Sequence, residues 1–74
     1  MSSEEFIEGF KDAVGTAYAV RPETLLADIP EWDSLTIMST VTFLAVQCNA
    51  NVTFTELKDA VKVSDIMSKA GILS

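Results

Sequence analysis

The residues able to do chemistry in this sequence are few, and they gather near mid-chain. Glu31-Trp32-Asp33-Ser34-Leu35 places a serine directly after an acid, at the start of an apolar run with helical spacing. Asp33 is a natural helix N-cap, and Ser34 then takes the first helical position with its hydroxyl directed outward. As a hydrolytic nucleophile Ser34 is poorly served. No G-x-S-x-G elbow surrounds it, and the chain has no histidine to accept its proton. The acids are scattered rather than paired for acid–base work. The lone Cys48 can close no internal disulfide, and no Cys/His set is present to hold zinc. By this reading the chain is not an enzyme. From the residues alone, Asp33 and Ser34 read as a helix cap.

The elements that position this serine belong to a small chain. Its 74 residues make one domain, 1–74. An apolar content of 49% excludes a disordered chain. Five basic against eleven acidic residues leave a net charge of −6. That balance argues against nucleic acid, which rewards clustered Lys and Arg, and favours positively charged protein partners. A core of this size yields about 3–5 kcal/mol without a staple. A free thiol and no signal peptide point to the cytoplasm, and the starting methionine with a capped first helix to a free protein, monomeric by default. Residues 34–55 carry no charge, but ten of those 22 are Ser, Thr, Asn or Gln, so they are no membrane-spanning helix.

The pattern predicts an all-α fold: a small four-helix bundle, three main helices plus a short third one, with a long first loop. Phe6, Ile7, Phe10, Ala13, Val14, Ala17 and Tyr18 recur at helical spacing and predict a helix over 3–19, opened by a Ser2/Glu5 capping box. Gly9 and Gly15 within it are read as close-packing positions. Pro22 and Pro30 make 20–33 an ordered loop, with a short turn near 23–27. Val20, Leu25, Leu26, Ile29 and Trp32 are expected to tuck under the bundle. The second helix is expected over 34–48 with Ile37, Val41, Leu44 and Cys48 as its core stripe; its β-branched content leaves a strand as the alternative. Thr53 with Glu56 opens a short helix through about Val61, burying Phe54, Leu57 and Val61. Ser64 and Asp65 are expected to cap a last helix carrying Ile66, Met67 and Ala70, with an Asp65–Lys69 pair and a stop at Gly71.

Over essentially all 74 residues the chain resembles an acyl carrier protein, a phosphopantetheine-bearing domain. The likeness rests on the acidic first helix, the Leu26…Ile29…Trp32-Asp33-Ser34-Leu35 approach and the short third helix. It implies that Ser34 carries a 4′-phosphopantetheine arm through a phosphodiester. The thiol of that arm would hold acyl or aminoacyl groups as thioesters and shuttle them between enzymes of fatty-acid, polyketide or related biosynthesis. Asp33 would cap the helix and help the modifying enzyme bind Mg²⁺; Leu35, half buried, would touch partners. The implied partners are a phosphopantetheinyl transferase and acyl-activating, acyl-transferring or condensing enzymes, met through Glu31, Met38, Ser39, Thr42, Val46 and Glu56.

Where the sequence departs from this family, the departure is informative. Members serving fatty-acid synthesis carry several acids along the second helix. Here Thr36, Ser39, Ala45, Val46 and Gln47 stand at those positions, which points to a specialised carrier with a neutral, partly apolar docking face, or to residues merely tolerated or buried by a rotated helix. Trp32 before Asp33 is frequent in stand-alone carriers of polyketide, aminoacyl and D-alanyl systems. Phe43 either joins the core or lines an acyl pocket, and such a pocket is expected between the second and third helices near Leu44, Phe54 and Leu57. The rival is a small acidic adaptor or inhibitor without a prosthetic group, whose second helix binds a protein partner.

Overall fold

The computed structural model describes residues 1–72. Helix α1 spans Ser3–Val14 and is fixed at its start by the expected capping box. The Glu5 N–H donates to Ser2 Oγ (3.2 Å) and the Ser2 N–H to Glu5 Oε1 (2.9 Å). Phe6, Phe10 and Val14 are its buried stripe. The helix stops well short of Ala19 because Gly15 takes a left-handed conformation, φ 74°. Both the Gly15 and Thr16 N–H groups donate to the Lys11 carbonyl, closing the end. Ala17 and Tyr18 are therefore exposed rather than part of an apolar face. Gly15 serves the backbone rather than close packing; Gly9 is the close-packing glycine, with the Phe43 ring against its Cα.

The segment after α1 is an ordered loop, as expected, and three backbone hydrogen bonds explain its order. The Leu26 N–H donates to the Val61 carbonyl (2.9 Å), the Val63 N–H to Thr24 (3.0 Å) and the Ser64 N–H to Pro22 (2.8 Å). One short 3₁₀ turn forms over Leu26–Asp28, slightly later than the sequence predicts. Val20, Leu26 and Ile29 are buried, and Trp32 is half-buried against Phe10 with ring centroids 5.7 Å apart. Leu25 does not tuck under; the pairing that buries Leu26 turns Leu25 outward, where it is exposed.

Helix α2 spans Ser34–Gln47, with Cys48 as its C-cap. Its buried residues are Ile37, Thr40, Phe43 and Leu44, so the core stripe is rotated relative to the expected one. Val41 and Cys48 are only partly buried. Phe43 joins the core, 5.6 Å from Phe6 between ring centroids. Thr40 is fully buried; its hydroxyl donates to the Thr36 carbonyl at 2.9 Å, which removes the penalty of burying it.

Helix α3 spans Phe54–Asp59 and opens on the expected Thr53/Glu56 capping box. It ends before Val61, which is 60% exposed because residues 60–62 turn to pair with the loop. Helix α4 spans Val63–Lys69, beginning earlier than Ser64 and Asp65 predict. Asp65 lies inside its first turn and reaches back: Oδ2 accepts the N–H groups of Val61 (3.1 Å) and Lys62 (2.9 Å). Committed there, Asp65 forms no pair with Lys69, whose Nζ lies 3.5 Å from Glu56 Oε2 instead. Gly71, φ 76°, ends α4 as expected; its N–H donates to Ser68 and that of Ile72 to Met67. Phe6, Phe10, Leu44, Leu57, Val63 and Ile66 meet at the centre. No helix among the described residues is long and apolar enough to cross a membrane.

Candidate functional site

The start of α2 is held from both sides. Asp33 has extended backbone and is the N-cap; its Oδ1 accepts the Thr36 N–H at 3.0 Å. Thr36 answers by accepting the Asp33 N–H at 2.9 Å. The Thr36 hydroxyl donates in turn to the Glu31 carbonyl at 2.8 Å, tying the last residues of the loop onto the helix. The Ile29 carbonyl accepts the Trp32 N–H at 3.1 Å, and Trp32 leans on Phe10 of α1. The loop therefore delivers Ser34 at a fixed place. Sequence reasoning assigned no such part to Thr36. The signal was present as Asp33-x-x-Thr36, a short-armed variant of the capping box.

Ser34 itself is exposed, as are Glu31 and Asp33. At the first helical positions the N–H groups of Ser34 and Leu35 have no intrahelical acceptor to reach. With the helix dipole they form an electropositive end, which favours an anion on the Ser34 oxygen. The side chains of Asp33 and Glu31 oppose this with two negative charges nearby. Any anionic group placed here gains from the backbone and is opposed by the acids, so a divalent cation bridging both would help its arrival.

Leu35 stands further out than expected, at 76% exposed rather than half buried. Met38 and Val46 are also exposed, with Ser39, Thr42 and Ala45 beside them. These residues make one continuous uncharged face on α2. Ser39, Thr42 and Val46 also form one wall of a groove of about 590 Å³ between α1 and α2, whose floor is Gly9, Ala13 and Phe43 and whose far wall carries Glu5 and Asp12. Phe43 is thus a core residue whose edge also lines a groove. Glu56 is placed elsewhere. Its Oε1 accepts the Thr53 N–H and hydroxyl at 3.1 Å each, and it lines a cleft toward α4 with Asp65 and Lys69. These hydrogen bonds to Thr53 hold the Glu56 carboxyl below its usual range, with Lys69 adding to the effect.

Leu44 and Leu57, near which an acyl pocket is expected, are fully buried in the core, and Phe54 is half-buried beside them. A second groove, of about 280 Å³, opens between the loop and the end of α3, where Leu25, Trp32, Lys58 and Val61 meet. Cys48 is half-buried, its Sγ 3.8 Å from Met1 Sδ, and partial burial raises its pKa. A raised pKa leaves it a poor nucleophile. No group of acids, cysteines or histidines among the described residues is arranged to hold a metal ion. No protein-family model, curated protein or solved structure matches the chain.

Proposed function

We propose that this chain is a carrier protein: Ser34 receives a 4′-phosphopantetheine arm from coenzyme A and presents acyl or aminoacyl groups, as thioesters, to partner enzymes. The single observation that carries the reading is an exposed serine at the first position of α2, behind a capping aspartate and a pinned loop, in a small all-helical bundle. The residues suit the group. The hydroxyl is open to a modifying enzyme, and the helix end stabilises a phosphodiester. In the attachment step the Ser34 oxygen displaces the nucleotide half of coenzyme A at phosphorus. A P–O bond to Ser34 replaces the P–O bond to the leaving phosphate, and the hydroxyl proton passes to a base on the transferase. Asp33 assists by capping α2 and by lending a carboxylate to the Mg²⁺ the transferase brings. The chain performs no catalysis of its own. Its setting in this reading is the cytoplasm, where coenzyme A is available.

The partner surface follows from where charge lies. Glu4, Glu5, Glu8 and Asp12 against Lys11 give α1 a net −3; Glu23, Asp28, Glu31 and Asp33 against Arg21 give the loop −3; the acids and lysines from Glu56 to Lys69 balance. The face of α2 contributes nothing. Acyl-activating, acyl-transferring or condensing enzymes would therefore meet Leu35, Met38 and Val46 with an apolar patch, and only Glu31 and Asp33 with basic groups. This is the surface of a specialised carrier.

Intact mass after incubation with coenzyme A, Mg²⁺ and a broad-specificity phosphopantetheinyl transferase tests the proposal. The expected result is a gain of one phosphopantetheine, mapped to Ser34 and absent in Ser34→Ala. A folded protein that gains nothing, both with that enzyme and with the transferase of its own source, would return the chain to the adaptor reading.

A further inference from the structure

Resting on the carrier reading, we propose that the groove between the long loop and the end of α3 seats the acyl group tethered to Ser34, and that it takes short acyl groups ending in a carboxylate. The groove is lined by Leu25, Leu26, Trp32, Ala60 and Val61, with Lys58 as the one charged residue on its walls among the described residues. Leu25 and Val61 are exposed there although both are large and apolar. The walls are joined by the Leu26–Val61 backbone hydrogen bond of 2.9 Å, so the groove exists before any ligand arrives. Its position is within reach of cargo on Ser34: Trp32 is two residues away, so its Cα lies within about 7.6 Å of that of Ser34, and the arm folds back along the loop to bring its acyl end into the groove.

Size and charge narrow the cargo. At about 280 Å³ the groove is smaller than sites for drug-sized ligands, roughly 300–1,000 Å³, and suits a chain of a few carbons. On a chain with net charge −6, an apolar groove whose one charge among the described residues is a cation is selective. Methylene groups lie on Trp32, Leu25 and Val61, and a terminal carboxylate reaches the Lys58 ammonium. The larger groove between α1 and α2 offers the opposite chemistry, since Glu5 and Asp12 would repel the same carboxylate.

Trp32 is the only tryptophan in the chain and lines the groove, so its fluorescence reports occupancy. The protein is loaded by the transferase from coenzyme A, pentanoyl-coenzyme A or glutaryl-coenzyme A. The last two have equal chain length and differ in the terminal carboxylate. Intact mass establishes loading separately. The glutaryl form should show a blue-shifted Trp32 emission and protection from acrylamide, the pentanoyl form less, and the unacylated form, whose arm ends in a free thiol, least. Lys58→Met should lower the protected population of the glutaryl form by roughly 1.5- to 5-fold, toward the pentanoyl level. Val61→Asp should remove both responses, and Asp12→Asn, in the other groove, neither. Full loading with identical Trp32 emission and quenching in all three forms overturns the groove and leaves the carrier reading standing. Equal pentanoyl and glutaryl responses overturn the carboxylate preference. Absence of any mass gain overturns the carrier reading, and this assignment with it.

Discussion

Gly9 is the position where the fold around the site is most exposed to a single methyl group. A Cβ there would lie 2.8 Å from Phe43 Cζ and closer still to the neighbouring ring carbon. Those distances are well inside van der Waals contact, and the ring is wedged between Gly9 and Phe6, so it has little room to withdraw. Overpacking of this kind costs about 1–3 kcal/mol. Against it, alanine is the better helix former by about 0.8–1.0 kcal/mol. The clash wins, and Gly9→Ala should destabilise the protein by about 1 kcal/mol, a loss of roughly 4–8 °C in Tm for a domain this small. In a Phe43→Leu background the obstacle is gone and only the propensity gain remains, so the same substitution should stabilise by up to about 1 kcal/mol. Urea unfolding followed by circular dichroism, in a double-mutant cycle, measures both effects. Gly15→Ala is the control. Nothing stands within 4 Å of a Cβ there, but φ is +74°, so its cost of about 1–2 kcal/mol should be the same in both backgrounds. A change of the same sign at Gly9 in both backgrounds would refute the close-packing account of the α1–α2 contact.

Four further outcomes are expected. Asp33→Ala should cost about 0.5–2 kcal/mol in urea unfolding through loss of the α2 cap, and, under the proposed carrier function, should slow attachment at Ser34 in a mass-spectrometric time course. Thr36→Val keeps the shape but loses the bonds to Asp33 and the Glu31 carbonyl; hydrogen exchange should quicken at the Trp32 and Asp33 amides while α1 is unchanged. The carboxyls of Glu5, Glu56 and Asp65 are all held below their ordinary values by hydrogen bonds, chiefly to the backbone N–H of Ser2, Thr53 and Lys62 respectively. Their folded pKa values lie under the unfolded ones, so their contribution is complete above about pH 4.5 and is lost as pH falls through the folded values. Thermal midpoints should drop in that acid range, and less so in Glu5→Gln. Under the proposed carrier function, association with a cognate enzyme, read by calorimetry between low and high salt, should weaken far less than for a partner steered by charge, whereas Val46→Asp should weaken it without lowering Tm.

The three N-terminal caps that involve a serine, threonine or aspartate were legible in the sequence because each is a local event. Ser2 with Glu5, Asp33 before Ser34, and Thr53 with Glu56 need only neighbours three residues away, and all three form. Errors arose where a distant segment decided the outcome. Val61 looked like the next core residue of α3 by spacing, but its carbonyl is taken by Leu26 and its side chain turns to solvent. Asp65 looked like a cap and a partner for Lys69, yet the chain reversal before α4 offered it two backbone N–H groups, and a carboxylate prefers those to an exposed ammonium. In α2 hydropathy gives no clean face, because apolar residues line both its buried and its exposed sides. Which side faces α1 was settled by Phe43 fitting over Gly9, and the buried Thr40 had to follow.

The same division governs the site. The place of Ser34 at a helix start could be read because it is written in consecutive residues, whereas a role for it as an attachment point rests on the family resemblance. The grooves could not be, since each is made by residues far apart in the chain. The loop groove needs Leu25 and Trp32 to meet Lys58 and Val61, and only the pairing of residues 22–26 with 61–64 brings them together. That pairing also explains why a long loop is kept in so small a domain. One strip of backbone both holds the approach to Ser34 still and forms a wall beside it. Shortening the loop would therefore disturb the place where Ser34 sits and the surface beside it together, whereas substitutions on the outer face of α2 would leave both intact and, under the proposed carrier function, change the choice of partner.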